Sequence, residues 1–386
     1  MKTPYFLIDE AALQSNLDAF TAALSELWPN SILSYSVKTN SLPWLLKWLL
    51  ANDVFAEVVS DEEYELAMIC GFPADKIVFN GPIKGEALLV DALKEGSFVN
   101  LDSRGDLKAI ELIQGNGALN IGLRLNLDPS LFDSDDIGYE EYGFRFGFSD
   151  EVGDFAKALE GVRKVSGDVN LGLHLHCNSV TISPNVNRAI GRAAAGLIEK
   201  YDIDLSFIDF GGGFFGGVPG KATARDYLCA IMEGLCGTVD PAKTTLILEP
   251  GSAIVGSAVS LHTRVLDVKD TVKTRIVTTD GSRIHIDPLW IKRGYLWEST
   301  SQGERFLSEQ VICGYTCMDH DRLMVVHDAP EFSVGDEIVY KRVGAYSMTF
   351  GSMFIRYFPE VYVDKGSSRE LVRSRIDVKD YFDIHS

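Results

Sequence analysis

Apolar and polar positions along the 386-residue chain fall into two textures. Up to about Gly256, short apolar runs of strand length alternate with stretches whose apolar residues recur every three or four positions, the spacing of a helix face turned to a core. After a short N-terminal strand at Tyr5–Ile8, the residues Leu13, Leu17, Phe20, Leu24 and Leu27 mark the first such face. The strand-length runs are Ile32–Val37, Val54–Val59, Lys76–Phe79, Phe98–Leu101, Leu119–Leu125, Asn170–Leu175, Ser206–Phe210 and Thr245–Leu248, eight in all. The first five begin 21 to 22 residues apart, one strand-plus-helix unit each. Eight such units are what a closed (β/α)8 barrel requires. Longer intervals further on point to functional insertions. Ser41-Leu42-Pro43 predicts a helix start with proline in the first turn. Ser60 with Glu63 reads as a capping box, and Gly71 suits the stop of the same helix. Asp128–Glu141, acidic and containing Gly, Ser and Tyr, reads as a long surface loop.

Beyond Gly256 the texture changes to strand-like alternation at Ala258–Val265, Thr274–Thr278, Glu337–Tyr340 and Phe350–Tyr357, with turns at Asp280-Gly281 and Gly335-Asp336. This predicts an α/β barrel over residues 10–255 and an all-β domain over 256–386, whose sheet the N-terminal strand within residues 1–9 joins. The chain length suits a barrel of roughly 250 residues with a smaller partner.

Composition narrows the function. A net charge of −19 disfavours nucleic acid and anionic membrane as partners, because both need a basic footprint. No stretch reaches the roughly 18 apolar residues of a membrane span. The N-terminus carries Asp9 and Glu10 without a long apolar run, unlike a signal peptide. Cys70, Cys177, Cys229, Cys236, Cys313 and Cys317 form no C-x-x-C pair, so no metal site is expected. Free thiols in a reducing cytoplasm are the expectation.

Active sites of α/β barrels lie at the C-terminal strand ends. Four polar features are expected at that address: Lys38 closing the first strand, His176 the sixth, Gly211-Gly212-Gly213 after the seventh and Glu249 after the eighth. A lysine ending an apolar strand is costly unless neutral or paired, and one tied up as a Schiff base has a use there. A glycine triplet lets backbone N–H groups approach a phosphate. A glutamate facing a pyridine nitrogen keeps that ring protonated, so that it accepts electrons from a carbanion. Together these point to pyridoxal 5′-phosphate.

The motifs YSVKTN, EVVSDEEYELA, IVFNGPIKG, LRLNL, FRFGF, HLHCNS, DFGGGF, LEPG, CGYTC and GAYS, in that order, resemble the ornithine/diaminopimelate/arginine decarboxylases. These are fold-type III pyridoxal-phosphate enzymes, with an alanine-racemase-type barrel and a C-terminal β domain. The similarity runs from Thr3-Pro4 to about Phe358. It implies that Lys38 is the Schiff-base lysine, that His176 stacks on the ring, and that Ser179 with Gly211, Gly212 and Gly213 holds the phosphate. Gly251 and Ser252 of the EPG segment belong to the same cofactor set. The resemblance also implies that Glu249 meets the ring nitrogen, that Glu57 and Arg124 line the pocket, and that Tyr346 reaches the cofactor from the C-terminal domain. Cys317 matches a cysteine that comes from the neighbouring chain of a head-to-tail dimer and is associated with protonating the product carbanion. Glu63 matches an acid near the Schiff base as well as a helix cap.

Departures concern mostly the substrate. Ser252 stands where a phosphate-side arginine is usual, and Asn178 where a glycine is. Met318 replaces the acid that grips a distal substrate amine, with Asp319 one residue away. Arg145 stands at a lysine-like position. Where the diaminopimelate branch has an Arg-Pro that binds a distal carboxylate, the corresponding stretch here reads His285-Ile286-Asp287-Pro288. The expected activity is decarboxylation of an amino acid, an unusual diamino acid or a conjugate rather than plain ornithine, lysine or diaminopimelate. The alternatives are a racemase of the same fold, which Glu249 disfavours, and a non-catalytic cofactor-binding homologue, which retention of Lys38, Cys317 and the glycine loop disfavours.

Overall fold

The computed structural model describes all residues except 115–116, 139–141 and 293. Two compact units emerge, Asn16–Ala253 and Met1–Ser15 with Ile254–Ser386.

The first unit is the barrel. Its strands are β1 (Ser31–Ser36), β2 (Phe55–Val58), β3 (Ile77–Phe79), β4 (Phe98–Leu101), β5 (Ala118–Asn126), β6 (Asp168–His174), β7 (Phe207–Asp209) and β8 (Thr245–Leu248). They pair in parallel in the order β4-β3-β2-β1-β8-β7-β6-β5, and β4 pairs with β5 to close the ring. All eight anticipated runs are therefore strands. A two-residue strand, Phe148–Ser149, extends β5. The barrel interior is filled by Val78, Phe207 and Ile247, with Ile32 and Phe98 against them. Phe98 and Phe207 meet edge-on, 5.1 Å between ring centres. A Cβ on Gly172 would lie 2.3 Å from the Phe207 ring, so only glycine leaves room there. Burying each such phenylalanine contributes about 2–3 kcal/mol.

Helix boundaries differ in detail from their sequence signals. Pro43 opens the helix Pro43–Ala51, but Ser41 does not cap it; Asn40 Oδ1 accepts the Leu42 N–H at 3.2 Å. Ser60 caps Asp61–Ile69 by accepting from Glu63 N at 3.2 Å. The Glu63 carboxylate reaches back one residue further than a capping box requires, to Val59 N at 3.0 Å. Gly71, at φ +103°, ends this helix as expected. The acidic segment after Asp128 is less exposed than its composition suggests. Asp136 and Ile137 are buried, and Val180 N donates to the Asp136 carbonyl at 2.8 Å. Residues 139–141 of that segment lie outside the described residues.

The second unit is a mixed sheet. In spatial order its strands are Arg322–Pro330, Phe306–Cys313, Arg275–Thr279, Val259–Asp270, Tyr5–Asp9, Glu360–Asp364 and Arg369–Arg373. Glu337–Lys341 joins Val259–Asp270 from the side and pairs with Leu296–Ser299. The N-terminal strand does enter this sheet, antiparallel to Val259–Asp270 and parallel to Glu360–Asp364. The expected strand Phe350–Tyr357 is irregular instead. Phe350, Phe354 and Ile355 are all exposed, and Ile355 sits at φ +67°, which no extended strand accommodates. Its aromatic content imitated a strand without the alternating burial. Among the described residues no helix is long and apolar enough to cross a membrane.

Candidate active site

The chemistry-bearing residues of the barrel gather at the C-terminal strand ends. Lys38 lies one step past its expected place: β1 stops at Ser36 and Lys38 belongs to a 3-10 turn, Val37–Thr39. Its Nζ donates to both oxygens of Glu57 on β2, at 2.7 and 3.0 Å. The Lys38 side chain keeps 42% of its surface exposed while Glu57 keeps 1%. The anchor is thus buried and the amine reachable. A Cβ on Gly251 would lie 2.0 Å from Thr39 Oγ1, so a glycine there lets the loop after β8 close on the lysine turn. Ser252 follows, exposed, at the start of the short helix Ser252–Val255.

Glu249, directly after β8, is buried and has no ion pair with an arginine or lysine among the described residues. It hydrogen-bonds the carboxyl of Asp209 at the end of β7, and accepts from Asn80 Nδ2 at 2.7 Å. The same Asn80 amide reaches Glu57 Oε1 at 3.1 Å, linking the lysine's partner to Glu249. Asn100 donates to Asn80 Oδ1 at 2.7 Å and to Asp209 Oδ2 at 2.8 Å. Burial raises Glu249 well above the ordinary carboxyl range, with the negative charges of Asp209 and Glu57 adding to it. Burial likewise pushes Asp209 up to about 6. Asn80 and Asp209 lie in the motifs IVFNGPIKG and DFGGGF but received no role in the sequence reading, and Asn100 lies in none of the quoted motifs. The signal available was a polar residue at or next to a barrel strand's C-terminal end.

His174, not His176, closes β6. His174 is buried, and neither ring nitrogen has a hydrogen-bond partner among the described residues. It brings a ring nitrogen within 4.8 Å of carboxylate oxygens of Asp209 and Glu249, close enough for a cation. The bond between the two acids and the amides on them already engage those oxygens, which disfavours a metal. His176 lies two residues on, half-buried, and is held neutral at about 3, chiefly by burial and then by the positive charges of Arg124 and Lys38. A neutral imidazole is the form suited to lie flat on an aromatic ring.

The glycine loop fits a phosphate. Gly211 and Gly213 take φ +61° and +90°. A Cβ on Gly211 would come within 2.9 Å of His176, and one on Gly212 within 2.8 Å of the Glu249 carbonyl oxygen. Gly212, Gly213, His176, Ser179 and Ser183 line one small cavity, with Ser183 capping the 18-residue helix Pro184–Tyr201. A helix start beside a glycine loop is a favourable place for a phosphate. Ser179 Oγ is engaged within this segment, donating to the Asp136 carbonyl at 3.2 Å and accepting from Ile182 N at 2.9 Å. Arg124, buried on β5, pairs with Asp102 at 2.9 Å and leaves its Nε without a partner. Its guanidinium lies 4.5 Å from the Phe146 ring centre, and Arg145, exposed, lies 4.4 Å from the same ring. Glu63 remains near the lysine's carboxylate: burial raises it first, and Glu57 adds to the rise. Cradle, lysine, buried acid and neutral histidine all suit pyridoxal phosphate.

The remaining expected residues lie on the β unit. Cys317 is an exposed free thiol. Met318 is half-buried, and Asp319 is exposed and tied to Arg322 at 3.2 Å in the same turn. The buried acid of this turn is Asp321. It accepts from Ser282 Oγ at 2.9 Å, Arg283 N at 3.0 Å and Thr316 Oγ1 at 2.7 Å, and so ties the CGYTC segment to the Asp280-Gly281 turn. Tyr346 stands at φ +53° with 40% of its surface exposed. Arg283 is not a free surface charge; it pairs with buried Asp287, which also accepts the N–H groups of Ile291 at 3.2 Å and Lys292 at 3.0 Å. Desolvation lowers the Lys292 ammonium, against the opposing charge of Asp287. Arg293, a further candidate cation, lies outside the described residues.

Residues 12–256 match the family model of the pyridoxal-dependent decarboxylases, pyridoxal binding domain. The diaminopimelate decarboxylase of Archaeoglobus fulgidus is 31% identical over 370 residues, 91% of this chain and 85% of that protein. That of Helicobacter pylori strain J99 is 27% identical, covering 92% of this chain and 88% of its own. Among solved structures, diaminopimelate decarboxylase from M. jannaschii superposes with a TM-score of 0.84 at 21% identity, over 99% of this chain and 92% of that one. The arginine decarboxylase of Paramecium bursaria Chlorella virus does so at 0.77 and 18% identity, over 94% and 96%. The family model spans more than half of the chain, and the chain belongs to the pyridoxal-phosphate-dependent decarboxylases, carboxy-lyases acting on amino acids.

Proposed function

We propose that this decarboxylase acts on an amino acid whose distal group is neutral or anionic, an unusual diamino acid or an amino-acid conjugate rather than plain ornithine, lysine or diaminopimelate. The observation that carries it is the commitment of the local acids. Asp319 is bound to Arg322, and Asp287, in the stretch that corresponds to the Arg-Pro of relatives, is buried against Arg283 and two backbone N–H groups. Met318 offers a distal ammonium only a thioether, and a buried unpaired ammonium costs several kcal/mol. Full-length similarity to diaminopimelate decarboxylases favours diaminopimelate as the competing substrate. Steady-state kinetics on ornithine, lysine, arginine and diaminopimelate decide between them. All four are expected to fall below about 10⁴ M⁻¹s⁻¹ in kcat/KM, and Met318→Asp is expected to improve a diamino acid. An ordinary rate on any of the four overturns the proposal.

In this reading Lys38 holds the cofactor covalently and gives way to the substrate amine, while Glu57 retains the released Nζ within hydrogen-bond distance. Bound there, pyridoxal phosphate supplies the electron sink for the pair left when the α-carboxylate departs as carbon dioxide. Ser179 and Gly211, Gly212 and Gly213 fix the phosphate, His176 covers the ring, Arg124 lines the pocket, and Glu249 faces the ring nitrogen. Tyr346 belongs to the same cofactor set. Cys317 or Lys38 returns a proton to the product carbon.

The active unit in this reading is a homodimer with shared sites, in which Cys317 serves the partner's barrel; its exposure on the β unit supports this. Mixing inactive Lys38→Ala and Cys317→Ala chains is expected to restore part of the activity. Absence of complementation under demonstrated subunit exchange overturns it. Six free thiols accord with a reducing, cytoplasmic setting.

A further inference from the structure

We infer that Asp209 is a positioning residue that shares one proton with Glu249, so that the two acids, clamped by Asn80 and Asn100, act as a single unit that aims Glu249 and sets how firmly a proton is held beside it. This rests on the reading that Glu249 faces the cofactor ring.

The geometry is a closed circuit. Asn80 donates to Glu249 at 2.7 Å, Asn100 donates to Asn80 at 2.7 Å and to Asp209 at 2.8 Å, and carboxyl oxygens of Asp209 and Glu249 lie within 4.8 Å of each other, with a hydrogen bond between the two acids. Gly211 N fixes the other Asp209 oxygen at 2.8 Å. Two buried carboxylates cannot both be anionic at hydrogen-bond distance, since the repulsion greatly exceeds what a few N–H donors return. One proton therefore lies between them. Asp209 already receives two N–H donors, which suit an anion, so the proton belongs on Glu249 and is donated to Asp209. Burial and mutual repulsion raise both acids, as this requires.

The charged and titratable groups facing the pair are Glu57 and Lys38, from β2 and the turn after β1, with His174 from β6 and Arg124 from β5 beyond it. The charge of Lys38 pulls Glu249 down, but burial and the negative charges of Asp209 and Glu57 outweigh it. His174, buried without a partner, offers no second cation. The unit consequently carries negative charge next to the place of the ring nitrogen, where it strengthens retention of a proton. Asp209 contributes that charge without touching the ring.

Infrared difference spectra of the cofactor-free protein test the shared proton. At neutral pH a protonated-carboxyl C=O stretch, shifted in D2O, is expected in the unmodified chain, lost in Glu249→Gln and kept at a shifted frequency in Asp209→Asn, where the proton stays on Glu249 without an anion beside it. No such band in the unmodified chain, one that survives Glu249→Gln, or one that Asp209→Asn leaves unmoved overturns the inference. The positioning role is read from the pH dependence of the bound cofactor's absorption. Asp209→Asn removes a negative charge and is expected to move the transition down by about one pH unit or more. Asn100→Ala removes a donor from the Asp209 anion and is expected to move it up, so the inference stays testable if Asp209→Asn fails to fold. A spectrum that responds to Glu249→Gln alone overturns the positioning role and leaves the Glu249 assignment standing. A spectrum indifferent to Glu249→Gln overturns both, while the infrared band still reports the shared proton.

Discussion

Lys38→Ala is expected to lose at least about a thousandfold in kcat, because in the proposed reading the residue is at once the cofactor's covalent anchor and the group that the substrate amine displaces. Borohydride reduction of the loaded protein is expected to fix the label on the peptide that carries Lys38, and the alanine variant is expected to take no label. The structure explains why this lysine is suited to the task. Its carboxylate partner is buried, with Glu57 at 1% exposure, whereas the amine retains open surface. Lys38→Arg separates chemistry from charge. A guanidinium keeps the pairing with Glu57 but is never a neutral nucleophile, so this variant is expected to fold with unchanged circular dichroism and to remain inactive. A label on another lysine, or turnover in the alanine variant, ends the assignment.

Glu249→Gln is expected to lower kcat by about a hundredfold or more, several kcal/mol in the barrier, with cofactor binding largely retained. The asymmetry follows from location. The proposed phosphate cradle of Ser179 and the glycine loop, and the proposed covalent anchor, do not involve the Glu249 side chain, so cofactor loading is expected to survive. The carboxylate, by contrast, is the only described acid reading onto the proposed ring nitrogen through a network that also holds Asp209 and Glu57. A neutral amide cannot hold the proton that makes the ring an electron sink. Titrating cofactor into the variant and comparing its turnover at saturation separates the two effects. Near-normal turnover at full loading shows that some other group serves the ring nitrogen.

Periodicity alone was sufficient for the barrel. A parallel strand buried on both faces must be almost wholly apolar, and its helix must carry a 3.6-residue stripe, so each unit announced itself. The β unit was harder to read. Strands such as Arg322–Pro330 mix charge and apolar residues because one face is open to solvent, and Phe350–Tyr357 looked like a strand while being none. The same contrast holds at the site. That Lys38, Glu57, Arg124, the glycine loop and Glu249 lie at or next to the C-terminal ends of the barrel strands was legible because linear motifs carry them. Whether Met318 and Asp319 read a substrate was not, because that depends on which acids are already engaged.

The sequence by itself determined the architecture, the cofactor and the strand ends at which its chemistry gathers, since burial patterns and glycine positions are local properties of the chain. Only the tertiary structure decided which polar groups meet. Asn80, Asn100, Asp209 and Glu249 come from four strands up to 169 residues apart, and their hydrogen bonds exist only once the barrel closes. The tertiary structure likewise decided that Asp321, rather than Asp319, is the buried acid of the CGYTC turn, and that Asp287 is spent on Arg283. A charge in a sequence has no partner until folding removes its water, and the cost of that removal is what selects the partner.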